Sequence, residues 1–362
     1  MTDDPGTVRE PTSASPDPSS NKPGRRVLST LGLAVAVLLL WVALKPLVVR
    51  RSQADPALEL NRSGSALYEE RKYDDALRYF QRALAVDEEV HGKNYPHTAV
   101  ALNNIGMVLK AQGKYQEAVS YYERALGITE KAFGKDEPHA WATLLNLGGV
   151  LDAQGKYDES LGYYQRALAA AEKGQPKDER QIAGALNNIG AAFQAQGKYQ
   201  EALDYFQRAL AIDEKTLGSN QPSTARDLNN VSVTLSALGR NEEALSYGQR
   251  ALAIDEKSLG RDHPSVAEIL NNIGFAFQSQ GKLDDALSAY QRALTIDEKA
   301  LGPDHPSTAK SCRNVASVLV AQGKCAEAVP LLQRALAIFE RQLSAAHRTT
   351  QAVAAQIASC SK

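Results

Sequence analysis

Cysteine is scarce in this chain: Cys312, Cys325 and Cys360 are the only three in 362 residues. So few exclude the disulfide framework that holds small secreted domains together. If Cys312 and Cys325 flank one helix, a rise of about 1.5 Å per residue keeps their Cα atoms on the order of 15 Å apart, too far to bond. The thiols are therefore expected free, in the core or at the surface. Charge of one sign is lacking as well: 41 basic residues face 42 acidic ones, and nothing in that total attracts a nucleic acid. Aromatic residues make up 6%, and most tyrosines recur at regular intervals, which reads as packing.

The sequence also lacks the marks of catalysis. It has no His-Glu-x-x-His, no nucleophile elbow and no Cys-x-x-Cys. Its Gly-Lys pairs, such as Gly113-Lys114, run into Tyr115 where a phosphate loop needs Ser or Thr, and they lie where no strand precedes them. No enzymatic activity, cofactor or small-molecule substrate is indicated.

What is present is a repeat. A unit of 42 residues recurs seven times without insertion or deletion, marked by Gly64, Gly106, Gly148, Gly190, Ser232, Gly274 and Ala316. Alanine follows at a fixed offset in every unit, at Ala83, Ala125, Ala167, Ala209, Ala251, Ala293 and Ala335. Self-similarity of this period implies a solenoid whose units stack on their neighbours. Within the second unit, Leu102, Ile105 and Leu109 give a first helix its apolar stripe, and Gly113 sits where a helix is closed in the left-handed conformation. A second helix runs from about Tyr115 towards Lys131, and Pro138 opens the next unit, where its missing N–H is harmless. Gly106 is expected to face Ala118 at the helix crossing, and Ala125 to meet the next unit's first helix. The Ile-Asp-Glu-Lys runs, as at Asp213-Glu214-Lys215, read as a solvated outer face. His97, His139, His263, His305 and His347 flank the links between units and His91 lies in one. Because equivalent positions stand a repeat apart, these histidines are expected to cap loops or face solvent, and to hold no metal.

Asn-Asn-Ile-Gly, Gln-Gly-Lys-Tyr-Gln-Glu-Ala, Tyr-Tyr-Glu-Arg-Ala-Leu and the Gly-x-x-x-Pro link resemble tetratricopeptide repeats, more narrowly the 42-residue variety of kinesin light chains. The resemblance implies an all-α, right-handed superhelical solenoid whose first helices line a concave groove that holds peptides or partner proteins. The heptad region of kinesin light chains has no counterpart here, so a motor-linked role is not implied.

Residues 1–26 are rich in Pro, Ser, Asp and Thr and read as a disordered tail. Val27 to Leu44 carry no charge. Extended to Val49 the span is roughly 34 Å of helix, against a hydrocarbon core of about 30 Å. A transmembrane helix over 27–49 is the expectation, with a linker at 50–56, repeats over 57–348 and a capping helix with tail at 349–362. A cleaved secretory signal is the rival reading, but Lys45-Pro46-Leu47-Val48-Val49-Arg50-Arg51 does not suit a signal peptidase. Arg9, Lys22, Arg25 and Arg26 before the span balance Lys45, Arg50, Arg51 and Arg62 after it, so the positive-inside count ties. The twin arginine against a short tail favours a cytoplasmic N-terminus, with the repeats on the outer, in a bacterium periplasmic, side.

Binding chemistry is expected on the first helices. Asn103 and Asn104, Asn187 and Asn188, Asn229 and Asn230, and Asn271 and Asn272 recur as pairs, continued by Asn146 and Asn314 and opened by Asn61. Asparagine inside a helix costs up to about 0.7 kcal/mol relative to alanine. An amide carries donor and acceptor, so a row of them can pair with the backbone of an extended peptide, as the resemblance also implies. The competing reading is that these amides bond to one another and hold the stack in register. Around them, Val100, Ala142, Gly184, Arg226, Glu268 and Lys310 vary on one side, and Met107, Gly149, Ala191, Val233, Phe275 and Ser317 on the other. An apolar or mixed peptide is expected, with an acidic residue near Arg226 or Lys310. The function so read is that of a membrane-anchored adaptor for protein or peptide partners. A self-assembling array and a regulatory subunit of a separately encoded enzyme are the alternatives.

Overall fold

The computed structural model describes residues 55–343 and 347–360. The tail at 1–26, the span at 27–49 and most of the linker lie outside the described residues. Among the described residues no helix is long and apolar enough to cross a membrane. Fifteen α-helices follow one another, with a single 3₁₀ turn at Pro138–Ala140 and no strand among the described residues. The first helices of the seven units are α1 (Pro56–Glu69), α3 (Pro96–Ala111), α5 (Trp141–Ala153), α7 (Glu179–Ala195), α9 (Pro222–Ala237), α11 (Pro264–Ser279) and α13 (Pro306–Ala321). The second helices are α2 (Tyr73–Val90), α4 (Tyr115–Phe133), α6 (Tyr157–Lys173), α8 (Tyr199–Thr216), α10 (Asn241–Ser258), α12 (Leu283–Leu301) and α14 (Cys325–Leu343). Helix α15 (Arg348–Cys360) packs on α14 and buries Val353 there.

Local chemistry sets these boundaries. Gly113 has φ +75°, Lys114 N–H donates to Leu109 O, and Gly113 N–H donates to Lys110 O. This closes α3 in the manner glycine allows, since a left-handed residue carries no Cβ penalty there. Arg71 adopts the same conformation at φ 59° in the first unit, at a cost of roughly 1–2 kcal/mol. Proline opens α3, α9, α11 and α13. Helix α7 has Asp178 as its cap in place of proline, the carboxylate accepting from Arg180 N–H and Gln181 N–H.

The crossing inside most hairpins takes in a side chain beyond the expected pair of small residues. In five units the glycine of the first helix also receives an aromatic ring sixteen residues on, and in the fifth the offset-twelve pair is seen directly, Ser232 Oγ donating to Ala244 O at 2.7 Å. A Cβ added to Gly106 would lie 2.7 Å from Tyr122, and one added to Gly190 2.8 Å from Phe206. Gly64 with Phe80, Gly148 with Tyr164 and Gly274 with Tyr290 repeat the arrangement. The ring needs the room that glycine leaves. The fifth unit reverses the pair: Ser232 stands on the first helix and Gly248 on the second. Ala125 shares an apolar cluster with Ala99 and Leu102 of its own unit.

The outer face is less solvated than expected. Asp213, Asp255 and Asp297 of the Ile-Asp-Glu-Lys runs are 2–3% exposed. Asp255 accepts from Ser265 Oγ, and Asp297 from Ser311 Oγ at 2.7 Å. The glutamates that follow pair with an arginine of the next unit's second helix: Glu214 with Arg250, Glu256 with Arg292 and Glu298 with Arg334, as do Glu88 with Arg124 and Glu130 with Arg166. Each partly exposed pair is worth about 0.2–1 kcal/mol, so together they favour register more than stability.

The cysteine expectation is also overturned. Cys325 and Cys360 form a disulfide with Cα atoms 5.3 Å apart, and only Cys312 is a free, buried thiol. Cys360 ends the first helix after α14, and residues 35–43 apart in a 42-residue repeat lie side by side across neighbouring elements. The expectation weighs only the pair nearest in sequence.

Candidate functional site

The side chains that face one another along the first helices follow from the repeat. Asn104 Nδ2 donates to Asn61 Oδ1 at 3.0 Å, Asn272 Nδ2 to Asn229 Oδ1 at 3.0 Å, and Asn314 Nδ2 to Asn271 Oδ1 at 2.8 Å. Asn230 Nδ2 donates to Asn187 Oδ1 at a longer 3.4 Å. The other asparagine of each pair donates forward to the next first helix: Asn103 to Thr143 Oγ1, Asn187 to Asp227 Oδ1 and Asn271 to Ser311 Oγ. Amides thus stitch the first three units to one another and the fourth through the seventh likewise, through Nδ2 groups that are already engaged. Asn229 and Asn271 are buried, while Asn103, Asn104, Asn146, Asn187, Asn188, Asn230, Asn272 and Asn314 are half-buried.

Three openings collect some of the expected residues and leave others apart. The largest, about 650 Å³, is bordered by Ala191, Gln194 and Ala195 of α7, Tyr199 of α8, Val233, Ser236 and Ala237 of α9, and Asn272 and Phe275 of α11. A second, about 460 Å³, holds Asn103, Asn104 and Asn146 with Val100 and Phe133. A third, about 360 Å³, holds Asn271 and Lys310 beside Glu268 and Asp297. Asn187, Asn188, Asn229, Asn230, Asn314 and Arg226 border none of these three. Sequence reasoning misses Gln194, Ser236 and Tyr199. The column to which Gln194 and Ser236 belong, Lys110, Asp152, Gln194, Ser236, Gln278 and Val320, varies as much as the columns that mark the groove.

The largest opening has a structural cause. Neighbouring first helices touch along the array, and the contact is sparsest between α7 and α9. The long Asn230–Asn187 bond and the carboxylate of Asp227 lie at that junction. Small side chains on α7 and α9 then leave the floor shallow and apolar, and Phe275, 51% exposed, stands at its edge. A large apolar side chain left in water at the rim of a groove marks a contact surface more than packing does.

Asp227 is fully buried, accepts from Asn187 Nδ2 at 2.9 Å, and has an Oδ2 without a hydrogen-bond partner among the protein atoms. Burial pushes its pKa up to about 6, against the opposing pull of the adjacent Arg226 guanidinium at 3.2 Å. Arg226 therefore faces solvent with its charge partly answered within the chain. At the other end, Lys110 reaches over Gly149, and burial lowers its pKa despite the nearby Asp152. Tyr164 extends beneath Gly148 and donates its hydroxyl to Asp152 Oδ2 at 2.8 Å. The middle of the groove is thus weakly charged, with cations at Lys110, Arg226 and Lys310.

The histidines divide into two groups. His263, His305 and His347 each accept a backbone N–H through Nδ1, from Ser265, Ser307 and Thr349, and His139 stacks on Phe133 with ring centres 4.0 Å apart. His91 and His97 do converge, with ring centres 5.7 Å apart. They occupy different positions on either side of one link, which the spacing between equivalent positions does not constrain.

A family model described as tetratricopeptide repeat matches residues 57–131, 98–173, 181–257, 233–299 and 265–341. No protein of curated function matches the chain in sequence. Among solved structures, the apo form of the quorum sensor NprR from B. thuringiensis aligns over 85% of this chain and 84% of its own at TM-score 0.63 and 16% identity. The apo form of RapI aligns over 84% and 99% at TM-score 0.60 and 16% identity. A single-substitution variant of a putative kinesin light chain from Podosopora anserina, described as having nearly identical TPR-like repeats, aligns over 57% and 97% at TM-score 0.50 and 23% identity. These likenesses are likenesses of fold.

Proposed function

The chain belongs to the tetratricopeptide repeat family, and on that footing we propose that it is a non-catalytic adaptor that grips an extended, mainly apolar peptide segment of a partner protein. The observation that carries this reading is the opening of about 650 Å³ across α7, α9 and α11, with Phe275 exposed at its edge. An apolar side chain of the peptide enters between Val233 and Phe275, and burying it contributes roughly 1.5–3 kcal/mol. The neighbouring Asn272 amide has its Nδ2 engaged by Asn229, so its Oδ1 is the group offered to a peptide N–H. Arg226 and Lys310 favour an acidic residue towards the later units. The right-handed superhelical curvature of the family is the geometry in which the first helices form the inner wall.

The adaptor is tethered by a transmembrane helix over 27–49, with its repeats on the outer side of the membrane. The Cys325–Cys360 disulfide supports that side, because such bonds persist in oxidising compartments. Mass spectrometry of the full chain, alkylated in intact cells before reduction, should recover a linked Cys325–Cys360 peptide. Three alkylated thiols would place the repeats in a reducing compartment.

Alanine scanning of the asparagines tests the groove poorly, since Asn230 and Asn272 also hold the stack together. Val233→Glu leaves that network intact and puts a charge in the opening. Peptides selected against the full chain from a displayed library should lose at least tenfold in affinity for Val233→Glu and keep it for Tyr247→Ala on the second helix. Undiminished binding to Val233→Glu with normal helicity would remove the groove from the account. Concentration-dependent association without peptide capture would favour a self-assembling array instead.

A further inference from the structure

The link between the first two units differs chemically from the links that follow it. Asp87 lies near the end of α2, 2% exposed, and His91 follows one turn later as the residue that caps the helix. The chain then turns, with Tyr95 N–H and Thr98 Oγ both donating to Gly92 O at 3.2 and 3.1 Å, and returns with His97 at the start of α3. One carboxylate oxygen each of Asp55 and Asp87 and one ring nitrogen each of His91 and His97 lie within 4.8 Å of one another. Tyr95 stands beside both imidazoles, its ring centre 4.9 Å from His91 and 5.5 Å from His97.

The repeat supplies its own controls. In the fourth, fifth and sixth units the buried aspartate is kept as Asp213, Asp255 and Asp297. The His91 position there holds Leu217, Leu259 and Leu301, and the His97 position holds Ser223, Ser265 and Ser307. In that setting the carboxylate serves the hairpin alone, as when Asp255 accepts from Ser265 Oγ. The second unit has Thr129, Phe133 and His139 at these places, and the two rings stack. Only the first link, among the described residues, combines the buried carboxylate with two imidazoles.

We propose that Asp55, Asp87, His91 and His97 form a binding site for a divalent transition cation of the zinc type, which clamps the first unit to the second. Two imidazole nitrogens with two carboxylates suit zinc and its neighbours, and disfavour calcium or magnesium, which take oxygen ligands alone. Tetrahedral zinc needs donor atoms about 3.3 Å apart at bond lengths of about 2.0–2.1 Å. The Asp87 carboxylate is fixed by burial while both histidines are exposed, so rotation of the imidazoles closes the remaining distance. The Asp55 carboxylate, just ahead of α1, completes the fourth position. The other ligands sit at the end of one helix, in its link and at the start of the next, so the ion ties together groups from two units.

The test is calorimetric titration of the full-length chain, stripped with EDTA, using zinc chloride. The wild type should bind one equivalent, and His91→Ala with His97→Ala should lose well over the roughly 10–100-fold that removal of even an outer-shell partner costs. His263→Ala with His305→Ala, which removes two helix caps elsewhere, should leave the affinity unchanged. Cobalt loaded into the wild type gives a second readout that needs no variant: visible d–d bands without the near-ultraviolet band of a thiolate ligand. No stoichiometric zinc binding, binding that survives the His91/His97 double substitution, or a thiolate band from Cys312 would each overturn the proposal.

Discussion

The fifth unit and its neighbours share one hairpin and differ in what they do with it. In five of the other six units a glycine on the first helix lets an aromatic ring of the second lie against it, as with Gly190 and Phe206 or Gly274 and Tyr290, while the seventh has Ala316 and Leu332 at these places. In the fifth unit Ser232 donates to Ala244 O at 2.7 Å and the ring is gone, replaced by Gly248. That unit also carries the buried Asp227, borders the loosest contact between first helices and contributes Val233 to the widest part of the groove. A solenoid keeps the volume of each hairpin balanced pair by pair, and this freedom lets one unit be reshaped without disturbing its period.

The sharpest way to break the comparison is to fill the crossing. Gly190→Leu drives side-chain atoms into the Phe206 ring and should cost about 3 kcal/mol or more in urea denaturation. Gly248→Ala should cost less, because its nearest neighbours are Ile273 at 3.0 Å and the Ser232 hydroxyl at 3.1 Å. Equal losses would show that the two crossings are not packed differently.

The buried carboxylate gives a prediction of opposite sign. Asp227 titrates at about 6 in the fold against an ordinary value of 3.8, so the folded state binds the extra proton. Its contribution is most favourable below pH 4 and is lost as pH rises through 6, a span worth on the order of 3 kcal/mol. Asp227→Asn should therefore equal or exceed wild-type stability at pH 7 and flatten the pH dependence between 4 and 6. A large loss at pH 7 would mean that the carboxylate is held charged by its neighbours.

Installing the common pair in the fifth unit sharpens the contrast further. Gly248→Tyr alone should be destabilised by about 1–3 kcal/mol. Adding Ser232→Gly should recover most of that, and a double-mutant cycle reads the coupling. The smallest effect is expected outside the crossing, where Arg292→Ala breaks the pair with Glu256 and should cost less than about 1 kcal/mol.

The period, the helix pairs and their turns are legible in the sequence because each depends on residues close along the chain: Gly113 for the turn, Pro138 for the start, Leu102 and Ile105 for the stripe. What escapes depends on distance across units. The asparagine pairs are visible, but their bonds to residues 40 and 43 positions away are one of two readings that the sequence leaves open. The Gly106–Tyr122 offset recurs along the array and shows its meaning only where Ser232 and Gly248 exchange sizes. The Cys325–Cys360 bond escapes because the pair closest in sequence, Cys312 and Cys325, is the one that helix geometry excludes. The proposed transmembrane span at 27–49 lies outside the described residues, and its basis is the length of its hydrophobic run.

The most direct test of the groove is photocrosslinking from the full chain, with benzoylphenylalanine placed in turn at positions 233, 275 and 247 and a selected peptide added. Adducts from 233 and 275 but not from 247 are the predicted result. Adducts from 247 alone would put the peptide on the second helices and contradict the account.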